Sequence, residues 1–379
     1  MRARGTMALA LVIAGAMGLT ACSTGSQPAP PPSVGGTAPM APITPTKPTN
    51  QIFVSPSGDD GNPGTQAAPM RSIEAAAKVA KPGTNVVVAN GTYNGSITTD
   101  VNGTAEARIS FTSASRGGAK IVGDGSGDAA WINNGDYVDI VGFDITGSNT
   151  DGLVSGGSYG RIVSNSVHDF REGNCIATAN DNYTMHDIDV IGNIAAHCGA
   201  DKLDHGIYVS HPNGMVTNNI AYGNAGFGIQ CWHNCNALSI SNNLVFDNPE
   251  GGIVVGQGDG PNNGDVAADN FVVANNIAID NGREGIRESG ATGRNNQFLN
   301  NILWDNETNR ILLKTGSERG TLVADPQFVD FKSDGSGDYH LRPGSPALGA
   351  GVELGAPSID VDGKPRPPEG GVDIGIYQQ

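Results

Sequence analysis

Val190-Ile-Gly-Asn193-Ile-Ala, Met215-Val-Thr-Asn-Asn219-Ile-Ala and Leu238-Ser-Ile-Ser-Asn-Asn243-Leu-Val are settings of one phrase. An apolar strand runs into an asparagine, and a second apolar strand leaves it. Arg161-Ile-Val-Ser-Asn165-Ser-Val, Phe271-Val-Val-Ala-Asn-Asn276-Ile-Ala and Gln297-Phe-Leu-Asn-Asn301-Ile-Leu repeat it. The spacings from Asn165 to Asn301 are 28, 26, 24, 33 and 25 residues. A period of this size with short β-rich units is the mark of a solenoid. An asparagine returning once per turn predicts a stacked amide ladder at a corner of the coil.

The stretch after each phrase turns into another strand, and those strands also align. Ile176, Ile207, Ile229, Ile253, Ile286 and Ile311 fall at one position. Side chains alternate between the faces of a strand, so an inward isoleucine stack places Ala177, Tyr208, Gln230, Val254, Arg287 and Leu312 outward. Parallel strands need a crossover, and here the rest of each turn supplies it. The predicted architecture is all-β: a right-handed parallel β-helix of roughly ten to twelve turns. Ser72 to Lys81 is the one good helical stretch, with Ser72 as cap and Pro82-Gly83 as stop. It is expected to plug the open N-terminal end. The 55 glycines among 379 residues are about twice the usual share, which suits many tight turns.

Outside the coil, Arg2 and Arg4 precede an apolar run from Met7 that ends Leu19-Thr20-Ala21-Cys22. This reads as an export signal over 1–21, and it resembles the bacterial lipobox, with Cys22 as the lipidated residue. Residues 22–50, rich in Pro and Thr, form a tether. Residues 51–379 form one domain. The expected location is outside the cytoplasm, lipid-anchored to a bacterial membrane, as a monomer. The net charge of −16 argues against a nucleic-acid partner. An anionic glycan would need a local basic group or a cation. Export permits disulfides among Cys175, Cys198, Cys231 and Cys235, with the pairing open. Cys231 and Cys235 lack a second half-site for zinc.

Phe53-Val-Ser-Pro-Ser-Gly-Asp59-Asp60-Gly-Asn-Pro-Gly64, Ala68-Pro-Met-Arg-Ser-Ile73 and Lys81-Pro-Gly-Thr-Asn-Val-Val-Val-Ala-Asn-Gly-Thr-Tyr93 resemble the entry of secreted right-handed β-helix proteins. These are pectate lyases of the family-nine type, alginate-lyase-like proteins and related epimerases. Ala324-Asp-Pro-Gln-Phe-Val329, Tyr339-His-Leu-Arg-Pro-Gly-Ser-Pro-Ala347 and Val372-Asp-Ile-Gly375 are similar to their closing turns. The resemblance implies a polysaccharide partner, a polyuronate, and β-elimination. It also implies a lysine base and aspartates holding Ca2+. Asp201, Lys202 and Asp204 match that pattern in part, and the outward slot expected for the lysine holds Tyr208, Gln230 or Arg287.

Residues that break the repeat concentrate between His168 and His233. A lyase must neutralise the uronate carboxylate, take the proton at C5 and protonate the leaving oxygen. Lys202 and Arg171 are candidates for the carboxylate. His205, His211 and Lys202 are candidate bases, and Tyr208 is a candidate acid. Gln230, Trp232, His233, Arg287 and Glu172 are candidate substrate contacts, and Asp201 and Asp204 candidate Ca2+ ligands. The loops Thr178–Asp187 and Gly256–Asp269 are expected to wall a groove over Tyr208 and Gln230. The competing readings are a non-catalytic glycan-binding scaffold, a C5-epimerase sharing the base-and-acid chemistry, and a glycoside hydrolase built on two carboxylates.

Overall fold

A computed structural model describes residues 48–258 and 267–379. The export signal, Cys22 and the tether up to residue 47 lie outside the described residues. So does the middle of the loop between Gly256 and Asp269. Three long parallel sheets, of 11, 10 and 9 strands, wind as a β-helix. The first holds the strands that lead into the asparagines, such as Met215–Thr217. The second holds those that leave them, such as Ile220–Tyr222. The third holds the isoleucine strands, such as Ile207–Val209 and Phe227–Cys231. A short helix, Ile73–Val79, is capped by the Ser72 hydroxyl and buries Ile73, Ala76 and Ala77. It packs on the first strands of the coil.

The ladder forms as the repeat predicts. Asn165, Asn193, Asn219, Asn243, Asn276 and Asn301 are buried, and each of the first five donates its Nδ2 to Oδ1 of the next at 2.9–3.1 Å. The second Nδ2 hydrogen reaches a carbonyl one turn back, as Asn219 does to Val190 at 2.9 Å. Each Oδ1 also accepts the backbone N–H of the preceding rung. Buried amides persist only when satisfied in this way.

A second ladder runs through Asn224, Asn248, Asn281 and Asn306 at the corner between the second and third sheets. It explains the Gly-Ile pairs at 206, 228, 252 and 285. A β-carbon at Gly206 would lie 2.6 Å from the Asn224 amide, and one at Gly228 would lie 2.9 Å from that of Asn248. One turn earlier a disulfide joins Cys175 to Cys198, with Cys198 occupying the ladder column and its N–H donating to Asn224. The inward stack pairs Ile176, Ile207, Ile229, Ile253, Ile286 and Ile311 in successive turns.

The C-terminal segment does not add turns in the same coil. Phe328, Tyr339, Leu341, Val361, Ile374 and Ile376 pack on Ile194, Ile220, Tyr222, Leu244, Phe246 and Ile277, on the outer face of the second sheet. Those strands are apolar on both faces because both are covered. The segment also explains the Asn-Asn doublets. The first Asn of each takes a left-handed backbone, and its amide ties down a C-terminal carbonyl. Asn218 donates to Ile359, Asn242 to Asp373 and Gly375, Asn275 to Val352, and Asn300 to Ala350. In the two preceding turns the same position holds Ser164 and Gly192.

Candidate active site

Tyr208 and Gln230 sit side by side on the outer face of the third sheet, paired in register. Next to them the chain bulges. Val209 pairs with Cys231 and Pro212 with Asn236, so five steps of chain span what three span one turn earlier. The surplus carries Trp232, His233 and Asn234 toward the surface, and His233 takes a left-handed backbone to close the turn.

The His233 ring is bonded through Nε2 to the Tyr183 hydroxyl at 3.1 Å. The two rings stack with centroids 4.1 Å apart, and Tyr208 meets His233 edge-on at 5.9 Å. Tyr183 comes from the loop Thr178–Asp187, which does stand over this face. Sequence reasoning identified the loop by its length but passed over this tyrosine. Trp232 lies against backbone: a β-carbon at Gly256 would be 2.5 Å from the indole, and one at Gly258 would be closer. The two glycines let the ring lie flat. The Gln230 side chain makes no hydrogen bond among the described residues. Arg287 is half-buried and paired with Glu284 at 3.3 Å.

The histidines do not gather on one surface. His205 is buried, and its Nδ1 accepts the Phe227 N–H at 3.1 Å. Burial pushes its pKa down to about 4, against the opposing charges of Asp204 and Asp201. His211 is fully buried; its Nδ1 bonds to the Pro212 carbonyl, and burial again lowers its pKa to about 4. The assignment of His205 and His211 as candidate bases is therefore corrected: both are buried, and of the three only His233 reaches the face of Tyr208. Strand alternation does not predict the last residues of a strand, where the chain bends inward. His168 lies on the second sheet between Asp144 and Asp169, at 2.8 and 2.7 Å. Burial opposes its charge, but the two carboxylates raise its pKa to about 9.

Arg171 and Glu172 are exposed in one corner loop, and Lys202 is exposed in the loop of the next turn. Neither Arg171 nor Lys202 forms an ion pair among the described residues. The backbone stacks these loops, with the Gly199 N–H donating to the Phe170 carbonyl at 2.9 Å.

A model of the Pel9A-like right-handed β-helix region matches residues 52–319. The chain belongs to that family. Pectate lyase Pel9A superposes with a TM-score of 0.64 at 18% identity, over 87% of this chain and 96% of that one. XylC in complex with xylose superposes at 0.54 with 13% identity, over 71% and 68%. At these identities the likeness is one of fold. No curated protein matches the sequence. The family's implied calcium cage does not fit the residues present. Asp201 Oδ1 accepts the Leu203 N–H at 2.7 Å, and Asp204 Oδ2 accepts those of Ala200 and Asp201. Both carboxylates thus shape their own turn, and the described residues hold no group of three His, Cys, Asp or Glu placed for a metal.

Proposed function

We propose that the protein is exported, anchored through a lipid on Cys22, and cleaves a uronate-containing polysaccharide by β-elimination. The observation that carries this reading is the Tyr183–His233 pair poised over Tyr208 and Gln230 on the sheet face of a Pel9A-like coil. A phenol bonded to a ring nitrogen is a proton-transfer pair, and such groups contribute about 10²–10⁴-fold when placed at the reacting bond.

In this reading His233 and Tyr183 take the C5 proton. Tyr208 gives a proton to the departing glycosidic oxygen. The Gln230 amide donates to the substrate carboxylate. Arg171 and Lys202 attract the anionic chain from the adjoining corner, offsetting the negative charge of the protein. Trp232 supports a sugar face. His205, neutral and stacked on Tyr208 with centroids 5.7 Å apart, positions that tyrosine.

The test is a panel of polyuronates followed by ultraviolet absorbance of the unsaturated product. Absorbance that rises with the parent chain and fails with His233→Ala or Tyr208→Phe supports the reading. Binding with no new chromophore and no new reducing ends would replace it with the scaffold reading, which the flat Trp232 platform also suits.

A further inference from the structure

The bulge that carries Trp232 and His233 is bracketed by two cysteines. Cys231 and Cys235 are 0% and 1% exposed, while Trp232, His233 and Asn234 between them are partly exposed. Cys231 continues the inward column of Val209 and Val255. The Cys235 thiol donates to the carbonyl of Val209, the residue paired in register with Cys231, at 2.9 Å, and both cysteines lie in the same buried core. Two inward thiols packed against one residue, Val209, at the two feet of an outward excursion, are placed where a covalent staple closes a loop. The same coil already joins Cys175 to Cys198, which requires an oxidising environment.

We propose that Cys231 and Cys235 form a second disulfide in the mature protein, closing a ring that holds Trp232, His233 and Asn234 on the sheet face. The two thiols lose two protons and two electrons to a disulfide oxidant, which leaves as the dithiol, and one S–S bond forms. Exchange proceeds through the thiolate. Burial holds the Cys231 thiol above its ordinary range in the folded coil, which disfavours the thiolate there. The ring pre-organises His233 against Tyr183 and lowers the ordering cost of a ligand on Trp232. This inference does not depend on the lyase reading.

The reduced, unfolded chain is refolded in mixed oxidised and reduced glutathione, quenched in acid, alkylated and digested with trypsin. Cleavage after Arg171, Lys202 and Arg283 leaves each cysteine pair on its own peptide, 172–202 and 203–283. The expected result is no alkyl group on either peptide before reduction and two on each after it. Alkylation of Cys231 and Cys235 before reduction, or a cross-link between the two peptides, overturns the proposal. Hydrogen exchange supplies a second measurement. In Cys231→Val with Cys235→Ala, whose replacements fit the apolar column, exchange over residues 232–234 is expected to rise at least about tenfold. Unchanged exchange would show that no staple holds the bulge.

Discussion

Replacing Asn243 by alanine removes one rung from the middle of the buried amide ladder. The backbone N–H and the Nδ2 of Asn219 lose their acceptor at 2.9 and 3.0 Å. The Val216 carbonyl loses its donor at 2.8 Å. Asn276 loses one of two donors but keeps the Asn243 backbone N–H at 3.0 Å. Two donors and one carbonyl are thus stranded in a coil that is closed to water on this side. At about 1–3 kcal/mol for each stranded buried group, and with some relaxation, the cost is about 3–6 kcal/mol. Its neighbour is the control. Asn242→Gly keeps the left-handed backbone at no steric cost and removes three bonds, those to Asp373 and Gly375 and the one its Oδ1 accepts from Asn275 at 3.3 Å, but each partner keeps another: Arg366 donates to both carbonyls and Asn275 donates to Val352. That costs about 1–2 kcal/mol and loosens the C-terminal segment first. Urea unfolding followed by far-ultraviolet circular dichroism, with the C-terminal segment followed by hydrogen exchange, separates the two. A loss below about 1 kcal/mol for Asn243→Ala, or one smaller than for Asn242→Gly, would refute the ladder as a source of stability.

Stability should peak near neutral pH. His205 and His211 have pKa values of about 4 in the fold against 6.5 unfolded. As pH falls from 6.5 to 4 the unfolded rings take up protons that the folded ones refuse, and about 3 kcal/mol per ring is lost. His168 is raised to about 9, so its contribution is complete below pH 6.5 and fades as pH rises to 9; His168→Asn should flatten that alkaline limb in urea midpoints measured from pH 4 to 9. Cys175→Ala with Cys198→Ala opens a crosslink between residues 23 apart and should cost about 3–4 kcal/mol by the chain-entropy relation; equal thermal unfolding of parent and variant would contradict it. On a polyuronate that the parent chain cleaves, Tyr183→Phe should lower kcat about 100-fold or more, and Trp232→Ala should chiefly raise KM. A Tyr183→Phe chain as active as the parent removes the Tyr183–His233 pair from the chemistry.

The coil, its register and the Tyr208–Gln230 pairing were legible in the sequence. Stacked turns require identical residues at identical positions, so the isoleucine column and the asparagine rungs write their geometry into the repeat. The family could be read from the entry and closing segments, such as Phe53 to Gly64 and Tyr339 to Ala347. The departures lie where a contact crosses between segments that no repeat relates. The second ladder was passed over although Asp247-Asn248, Asp280-Asn281 and Asp305-Asn306 repeat one dipeptide, because Gly223-Asn224 and Cys198 break the pattern at its start. Tyr183 was hidden because it stands in a loop with no counterpart in other turns.

The sequence by itself determined a solenoid, because alternation and period are local properties that strand stacking amplifies. Only the tertiary structure decided what lies inside and outside at the ends of strands. It buried His205 and His211, paired Cys175 with Cys198, and laid the C-terminal segment over the second sheet. Each of these depends on how far the chain bends at a corner and on what packs there. The Asn-Asn doublets hold both kinds of information. The second asparagine belongs to the repeat, and the first belongs to a segment up to 141 residues away.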